Sequence, residues 1–364
     1  MVMPELIVNN QPELTSLAYR CYYALGLRQV LGSRVRGVVP GFLRPLSRFR
    51  MPAMITAMTE RLAVNRHGFC ASHDPHVSQY LWVDPGRGRR VKFAVDVHDN
   101  KAIRSSAILA WSDLYFKSNK WNSVAYSDKI LPIVNGCRLS EGEIRSLSSL
   151  RHVKKEYDLA FVARVWGGPE HSVRMFEQLA RLDCKKQLLA ILVPKASPEG
   201  RRQNQEYVRR LEAANVPWVS ESEDGLLPRR RLWEWYAKSS LVVIRCGKHL
   251  SMPWRMIETL CLGACIVYDM IPQIHWPISL EPNAHYLTLS IPLLVEGSAA
   301  PLESYERIPE LISGYLADPS LQEHIREGSR GYFDRAASPA MVATYILSSI
   351  ERTCELSPAG LKAA

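Results

Sequence analysis

The stretch Ser251–Asp269 constrains the fold of this chain most, because it combines a helix start, a helix stop and a buried strand. Ser251 suits an N-cap, and Pro253 suits the first helical turn, where its missing N–H costs nothing. Gly263 predicts the end of the helix, because glycine enters the left-handed region without a Cβ clash. The apolar run Ala264–Tyr268 is typical of a strand in a parallel sheet. The stretch therefore predicts an α/β unit.

A second apolar run, Ser240–Arg245, predicts another buried strand, and Cys246–Leu250 joins its carboxyl end to the start of the helix. Open α/β sheets bind ligands at such junctions, where the helix dipole and free N–H groups favour phosphate. Glu258, one turn into the helix, offers a carboxylate that can accept hydrogen bonds from a ribose diol. Three cations accompany this junction in the sequence: Arg245, Lys248 and Arg255. These residues predict a site for a nucleotide and its pyrophosphate.

Residues 255–267, RMIETLCLGACIV, resemble the R-x-x-E-A-l-x-x-G-x-x-P-V-i signature of GT-B glycosyltransferases, especially the exostosin-like group. The resemblance implies that Glu258 binds the ribose of a nucleotide-sugar donor. Two positions depart from the signature, because Thr259 replaces its Ala and Ile266 replaces its Pro. The alternative is an ordinary helix–strand unit in which Arg255 and Glu258 form a solvated i,i+3 ion pair.

The length of 364 residues suggests two domains or one large one, and a hydrophobic content of 47% is ordinary for a protein with a sizeable core. No apolar run approaches the ~20 residues of a transmembrane helix, and the first residues carry acids without the apolar core of a secretory signal. Eight cysteines are scattered without C-x-x-C or C-x-x-H spacing. This pattern predicts a reducing compartment, no disulfide framework or zinc site, and a cytoplasmic location.

The net charge of +10 is concentrated in the first part of the chain, since residues 1–150 carry +9 and the remainder +1. The segment Arg28–Arg50 contains six arginines and no acid, interleaved with apolar residues. It predicts contact with an anionic membrane surface, and a solvated basic loop is the alternative. A phosphate-bearing acceptor or nucleic acid would also suit such charge. Nucleic acid is not expected, because the aromatic and glycine patterns of RNA-recognition folds and a helix-turn-helix pattern are absent.

A cluster of polar residues ends the predicted strand Arg89–Val97 in the first half of the chain. Asp96, His98 and Asp99 stand together at its carboxyl end, which is where α/β enzymes place their active sites. Asp99 or His98 is a candidate general base, with the other residue orienting it. The alternative is a turn with an Asx cap.

Strands and helices alternate on both sides of a charged, serine-rich linker, Ser140–Lys155, and this alternation favours parallel sheets. We expect an α/β chain of GT-B class, with two Rossmann-like, doubly wound domains whose parallel sheets face a cleft. Residues 1–145 form the acceptor-binding domain in this interpretation, and residues 155–335 form the nucleotide-sugar-binding domain. Residues 336–364 form a C-terminal helix and tail, and the helix is expected to cross back to the N-terminal domain.

The second domain opens with the predicted strand Tyr157–Val165, which is followed by Gly167 and Gly168. These glycines resemble the glycine turn of the GT-B family, where the backbone approaches the donor phosphates, and the alternative is an ordinary strand–helix turn. The family implies that cations and amides, rather than a bound metal, neutralise the diphosphate. The candidate cations are Arg164, Arg245, Lys248 and Arg255. The G-x-G-x-x-G and G-x4-G-K-[ST] patterns are absent, which argues against a dinucleotide oxidoreductase and a P-loop NTPase.

One departure from the family concerns the stereochemistry of transfer. Retaining GT-B enzymes commonly carry Glu-x7-Glu, but Leu250 stands eight residues before Glu258. An inverting mechanism is therefore favoured, with the base in the N-terminal domain.

The sequence is thus interpreted as a glycosyltransferase of surface polysaccharide or glycoconjugate synthesis, peripheral on the inner face of the cell membrane. It would take a nucleotide-sugar donor and a saccharide or lipid-linked saccharide acceptor, with no metal or other cofactor. A retaining GT-B enzyme and a non-catalytic GT-B-like binding subunit of an assembly complex are the alternatives.

Overall fold

A computed structural model describes residues 3–9, 17–37, 64–72, 74, 76–166, 168–221, 227–247, 249–269, 274–292 and 299–356. The strands in these ranges are β1 (Glu5–Val8), β2 (Val35–Gly37), β3 (Val77–Asp84), β4 (Arg89–Asp96), β5 (Leu114–Lys117), β6 (Lys120–Trp121), β7 (Ile130–Pro132), β8 (Tyr157–Val165), β9 (Lys186–Leu192), β10 (Trp218–Ser220), β11 (Ser239–Ile244), β12 (Ile266–Tyr268), β13 (Ile274–His275) and β14 (Leu287–Thr288). The helices are α1 (Leu17–Leu31), α2 (Ser106–Trp111), α3 (Glu141–Ser149), α4 (Pro169–Ala180), α5 (Pro198–Ala213), α6 (Arg229–Ala237), α7 (Arg255–Leu262), α8 (Leu302–Glu306), α9 (Ile308–Leu316), α10 (Pro319–Tyr332) and α11 (Pro339–Leu356). None of the helices in the described ranges is long and apolar enough to cross a membrane.

The chain divides into two compact units. The first unit comprises residues 1–141, 275–278 and 336–364, and the second comprises residues 142–274 and 279–335. Most of helix α3 belongs to the second unit, although it occupies residues that were expected to form a linker.

The first unit is built on a six-stranded sheet with the order β2-β1-β3-β4-β5-β7. Strands β4, β5 and β7 run parallel, and so do β1 and β2, but β3 is antiparallel to both of its neighbours. Four residues connect β3 to β4, and among them Gly88 takes φ +61°. A connection this short makes a hairpin, because a parallel pair needs a crossover of a dozen or more residues. The first sheet therefore departs from parallel pairing at the strand Val77–Asp84.

Helices α1 and α11 lie far apart in the sequence and pack against each other in the first unit. The hydroxyl of Tyr22 donates to the carbonyl oxygen of Ala337, just before α11. The helices are in close contact at Gly26, where an added Cβ would lie 1.8 Å from the carbonyl oxygen of Pro339. Because no side chain fits in that space, the packing of α1 on α11 requires a glycine at this position.

The second unit holds a six-stranded sheet in which every strand pair is parallel, with the order β10-β9-β8-β11-β12-β14. Counted from β8, this is the order 3-2-1-4-5-6 of the doubly wound fold, and the order reverses between β8 and β11. The helices cover the sheet through buried apolar side chains, among them Leu159, Phe161, Phe176 and Leu241. The strand order therefore predicts a ligand site at the edge of the sheet where β8 and β11 end.

Helix α7 ends where the sequence predicts, because Gly263 is its C-cap with φ +66°. Its start differs from the prediction, since Trp254 and not Ser251 occupies the N-cap position. The carbonyl oxygen of Ser251 instead accepts a hydrogen bond from the N–H of Gly247 at 2.8 Å. Ser251 is thus part of the preceding loop, and the helix begins four residues later.

Gly26→Ala should destabilise the first unit, because the added methyl group meets the carbonyl oxygen of Pro339 and the helices must shift to make room. Overpacking of this kind costs about 1–3 kcal/mol. Gly314→Ala is the matched control, since Gly314 is also helical but a Cβ there meets no atom within 4 Å. The control should gain about 0.5–1 kcal/mol, the ordinary advantage of Ala over Gly in a helix. Urea unfolding followed by circular dichroism measures both changes, and equal midpoints for the two variants would contradict the close packing of α1 on α11.

Candidate functional site

The loop between β8 and α4 contains the predicted glycine turn. Gly168 is the N-cap of α4 with φ 99° and ψ 54°, a left-handed conformation that a side chain would strain. The backbone therefore turns sharply at the carboxyl end of β8, next to the reversal of strand order. Gly167 lies outside the described residues.

The loop between β11 and α7 folds back on itself. The N–H of Gly247 donates to Ser251, as described above, and the N–H of Leu250 donates to the carbonyl oxygen of Gly247 at 3.1 Å. Leu250 takes φ +54°, a left-handed conformation that costs a residue with a Cβ about 1–2 kcal/mol. Such a conformation persists only where the surrounding structure holds it in place. Lys248, the cation predicted in this loop, lies outside the described residues.

Arg245 ties these two loops together. Its Nη1 donates to the carbonyl oxygen of Trp166 at 3.1 Å and to the hydroxyl of Ser172 in α4. Its Nε donates to the carbonyl oxygen of Cys246 at 3.2 Å. Arg245 thus places a positive charge between the loop after β8 and the loop after β11.

The other two predicted cations contact different parts of the second unit. Nη1 of Arg255 donates to the backbone carbonyl oxygen of Val162 in β8, and its guanidinium lies 5.6 Å from the ring centre of Trp254. Arg164 forms an ion pair with Glu221, and half of the Arg164 side chain is exposed. Arg255 therefore braces α7 against β8, while Arg164 pairs near the surface.

Glu258 is buried one turn into α7, with only 1% of its side chain exposed. Arg229 of α6 donates to its Oε1 through Nε at 2.7 Å and also through Nη2. The same guanidinium donates to Glu143 of α3 at 3.1 Å. Glu258 is thus hydrogen-bonded to a residue 29 positions earlier in the chain, and this pair replaces the solvated Arg255–Glu258 pair considered above.

The environment of Glu258 is unusual for a carboxylate. Burial raises its pKa, although the charge of Arg229 acts in the opposite direction. Its Oε2 is buried and makes no hydrogen bond of regular geometry within the described part of the chain, although the Trp233 side chain is close enough to lower the pKa of this carboxyl as a donor. A buried oxygen without a regular hydrogen bond costs free energy, so this atom is suited to accept a hydrogen bond from a ligand.

A chain of buried polar side chains that the sequence analysis missed adjoins these loops. Asp269, directly after β12, accepts the N–H of Cys246 on Oδ1 at 2.9 Å. Its Oδ2 lies 2.8 Å from Nε2 of His171 in α4, and Nδ1 of His171 contacts the hydroxyl of Tyr305 in α8. Burial raises the pKa of Tyr305 to about 12. The only sequence signal was the position of Asp269 at the end of a strand, because His171 and Tyr305 join it through the fold.

In the first unit, Asp96 ends β4 with a fully buried carboxylate. Its Oδ1 accepts the N–H of His98 at 2.8 Å, which is an Asx turn. Its Oδ2 accepts from the hydroxyl of Tyr115 at 2.9 Å and from the ammonium of Lys117 at 3.1 Å. The side chain of Lys117 is itself 0% exposed. Asp96 therefore shapes the turn that carries His98 and Asp99.

His98 is buried, and its Nε2 lies 2.7 Å from Nη1 of Arg104. The N–H of Asn100 also lies 3.2 Å from Nδ1. Because donors face both ring nitrogens, these surroundings favour the neutral imidazole over the imidazolium. Burial, and then the neighbouring ring of His76, lower the pKa of His98 to about 4. Asp99 is exposed, so it is the candidate whose carboxylate reaches solvent.

Within the ranges that the structure describes, no group of three or more His, Cys, Asp or Glu side chains is arranged to hold a metal ion. Metal-independent chemistry stays a prediction, because it concerns the reaction and not the arrangement of these side chains alone.

Comparisons with known proteins place the fold. No family model matches the sequence, and no curated protein matches it either. A glycosyltransferase structure from Rickettsia africae is similar with 11% identity and a TM-score of 0.51, over 96% of this chain and 97% of that one. The structure of Anabaena HepE in complex with UDP is similar with 12% identity and a TM-score of 0.51, over 95% of this chain and 98% of that one. At this identity the likeness shows the fold alone, and it confirms the predicted GT-B class.

His98 should remain neutral until the pH falls to about 4. Because an unperturbed histidine takes up its proton near pH 6.5, protonation favours the unfolded chain between about pH 6.5 and pH 4. The first unit should therefore lose stability as the pH falls through this window, and His98→Gln should lose less. A titration of the histidine Cε1 resonances by NMR, with His98→Gln to assign the signal, measures the pKa directly. A transition near pH 6.5 would contradict the buried, Arg104-bonded geometry.

Proposed function

We propose that the protein is a glycosyltransferase that uses a nucleotide-sugar donor. The observation that carries the proposal is the GT-B fold, which is similar to glycosyltransferase structures over nearly the whole chain. The structures of HepE include complexes with UDP and with UDP-glucose. In this chain, the loops at the reversal of strand order and the Arg245 guanidinium between them form a surface suited to a diphosphate.

The donor would lie at the carboxyl edge of the second sheet. The backbone at Gly167 and Gly168 would approach its phosphates, and Arg245 with Lys248 would neutralise their charge. Arg255 and Arg164 would contribute long-range attraction, since their hydrogen bonds go to Val162 and Glu221. These roles follow the charge and position of each residue.

Glu258 would accept hydrogen bonds from the ribose hydroxyls. Its Oε2 supports this role, because that oxygen makes no hydrogen bond of regular geometry within the described residues, with the Trp233 side chain as its nearby donor. Its Oε1 is already bound to Arg229, which leaves the second oxygen as the acceptor. Since Oε2 is shielded from solvent, neighbouring side chains must move for a ribose to reach it.

For the chemistry, we propose an inverting transfer without a metal. A base removes the proton of the acceptor hydroxyl while the donor diphosphate leaves and cations take up its charge. Asp99 is the base that the geometry favours, because it is exposed on a turn held by the buried Asp96 carboxylate. His98, with its pKa near 4, would orient this turn instead of accepting the proton.

The acceptor would be a saccharide or lipid-linked saccharide of surface polysaccharide synthesis, presented at the inner face of the membrane. The basic segment Arg28–Arg50 motivates this proposal. Its residues 38–50 lie outside the described ranges, while Arg36 is exposed and pairs with Glu5 at 3.3 Å. Co-sedimentation with anionic vesicles at low salt tests the attraction, and equal partitioning into neutral vesicles would contradict it.

The wild-type protein should bind a nucleoside diphosphate, and Glu258→Gln should weaken that binding by about 1–3 kcal/mol through loss of charge-assisted hydrogen bonds. Isothermal titration calorimetry with UDP and with GDP measures the affinity. Glu206→Gln is the matched control, because Glu206 is a half-exposed glutamate of α5 in the same unit. Thermal unfolding of both variants checks that the fold is intact. Unchanged affinity in a folded Glu258→Gln protein would remove this residue from the site.

Asp99→Asn should lower turnover by on the order of 10²–10⁴, because the general base is lost, while nucleoside diphosphate affinity stays at the wild-type value. Release of UDP from UDP-glucose, with and without saccharide acceptors, provides the assay. Asp128→Asn, another exposed aspartate of the first unit, is the control and should keep full activity. A product that retains the anomeric configuration of the donor would argue against the inverting mechanism.

A further inference from the structure

One buried polar cluster of the second unit has no role in the proposed chemistry. Tyr305 and Asp269 are 0% exposed and His171 is 4% exposed. These residues come from α8, the end of β12 and the first turn of α4. Asp269 follows His171 by 98 positions along the chain, and Tyr305 follows it by 134. Removing three hydrogen-bonding side chains from water is unfavourable unless each finds a partner, so their arrangement needs an explanation.

The proton positions follow from the donors around the cluster. The N–H of Ala300 donates to Tyr305 Oη at 3.3 Å, which leaves the proton of this hydroxyl to be donated to Nδ1 of His171. The imidazole proton then sits on Nε2 and is donated to Asp269 Oδ2 at 2.8 Å. The other oxygen of Asp269 accepts the Cys246 N–H at 2.9 Å. Every donor therefore has an acceptor, and the hydrogen bonds are donated in one direction, from the Ala300 N–H through Tyr305 and His171 to Asp269.

Asp269 holds Cys246, the second residue of the loop between β11 and α7. The N–H of Cys246 is fixed by this carboxylate, and the loop that follows contains the left-handed Leu250. A left-handed leucine is unfavourable, so the loop depends on anchors outside itself. Arg245, directly before Cys246, donates to Ser172, and Ser172 follows His171 in α4. Asp269 therefore contacts Cys246 and His171, which adjoin in sequence the two residues of the Arg245–Ser172 hydrogen bond.

We propose that Asp269, His171 and Tyr305 are positioning residues that hold the β11–α7 loop and Arg245 in the arrangement that receives the donor diphosphate. This inference rests on the proposed function, because it assigns these residues to the same ligand. Tyr305, the member of the cluster farthest from the loop along the hydrogen bonds, connects it to residues 299–305. Arg174 of α4 reaches this segment as well, since its Nη1 donates to the carbonyl oxygen of Ala300 at 2.9 Å.

A substitution at the far end separates positioning from general stability. Tyr305→Phe removes one hydroxyl that is remote from the loop, with His171 and Asp269 between them. Tyr315→Phe is the matched control, because the Tyr315 hydroxyl donates one hydrogen bond to Thr288 at 2.7 Å in the same unit, outside the cluster. Tyr305→Phe should lower the thermal midpoint more than Tyr315→Phe does, because the Tyr305 hydroxyl makes two hydrogen bonds and the Tyr315 hydroxyl makes one. Only Tyr305→Phe should weaken UDP binding, by about 3- to 10-fold.

Hydrogen exchange of the peptide covering residues 245–252 provides a local readout in the ligand-free protein. Exchange in this peptide should increase in Tyr305→Phe and in Asp269→Ala, with little change elsewhere in the second unit. Asp269→Asn should restore most of the protection lost in Asp269→Ala, because its amide oxygen still accepts the Cys246 N–H. If Asp269→Ala fails to fold, the Tyr305→Phe and Tyr315→Phe pair decides the result.

The outcomes distinguish this inference from the proposed function. Wild-type protein that binds neither UDP nor GDP would overturn both. Wild-type binding, together with equal affinity and equal loop exchange in Tyr305→Phe and Tyr315→Phe, would overturn the positioning role alone. Selective loss of affinity and of loop protection in Tyr305→Phe would support it.

Discussion

A carboxylate that leaves water must find hydrogen-bond donors in the surrounding chain, and three buried carboxylates organise the two units of this protein. Asp96 collects the Tyr115 hydroxyl and the Lys117 ammonium in the first unit. Glu258 is bound by Arg229, and Asp269 accepts the Cys246 N–H. In each case the donors come from a different element than the carboxylate does. Asp96 and Asp269 therefore add side-chain bonds beside the paired strands β4–β5 and β11–β12, and Glu258 connects helices α6 and α7.

The three carboxylates also differ in how completely they are satisfied. Both oxygens of Asp96 and both oxygens of Asp269 have donors, so these groups are suited to hold structure. Glu258 has one oxygen bound by Arg229, whereas the other makes no regular hydrogen bond in the described ranges and has the Trp233 side chain as a nearby donor. A fully paired acid supports a fixed shape, whereas a half-paired one favours the arrival of a further donor. This contrast distinguishes Asp96 and Asp269, which support the fold, from Glu258, which is a candidate ligand contact.

Local sequence signals identified the elements of the second unit well, because strands buried on both faces read as short apolar runs. The C-cap at Gly263 and the glycine turn at Gly168 were equally readable, since both depend on the backbone freedom of one residue. The GT-B class followed from the motif around Glu258 and from the alternation of strands and helices. The strand Val77–Asp84 was not predicted, because the polar residues Ser78 and Gln79 interrupt its apolar run although both are buried in the structure.

Side-chain partners were the part that the sequence did not reveal. Arg229 precedes Glu258 by 29 positions, and the two meet only because α6 and α7 flank the same strand. His171 gave no signal on its own, since one histidine in a helix has many ordinary roles. The distances between such groups depend on how helices pack across a sheet, and periodicity along one chain carries no information about that packing.

The return of helix α11 to the first unit has a consequence for how the protein is made. The first unit contains residues near both ends of the described chain, and the second unit is inserted between them. During synthesis, residues 1–141 emerge first, but the helix that packs on α1 emerges after residue 338. The second unit has all of its described strands by residue 288 and its last helix by residue 332. It can therefore complete its core before helix α11 of the first unit has been synthesised. The unit whose synthesis starts first is therefore the one that finishes folding last.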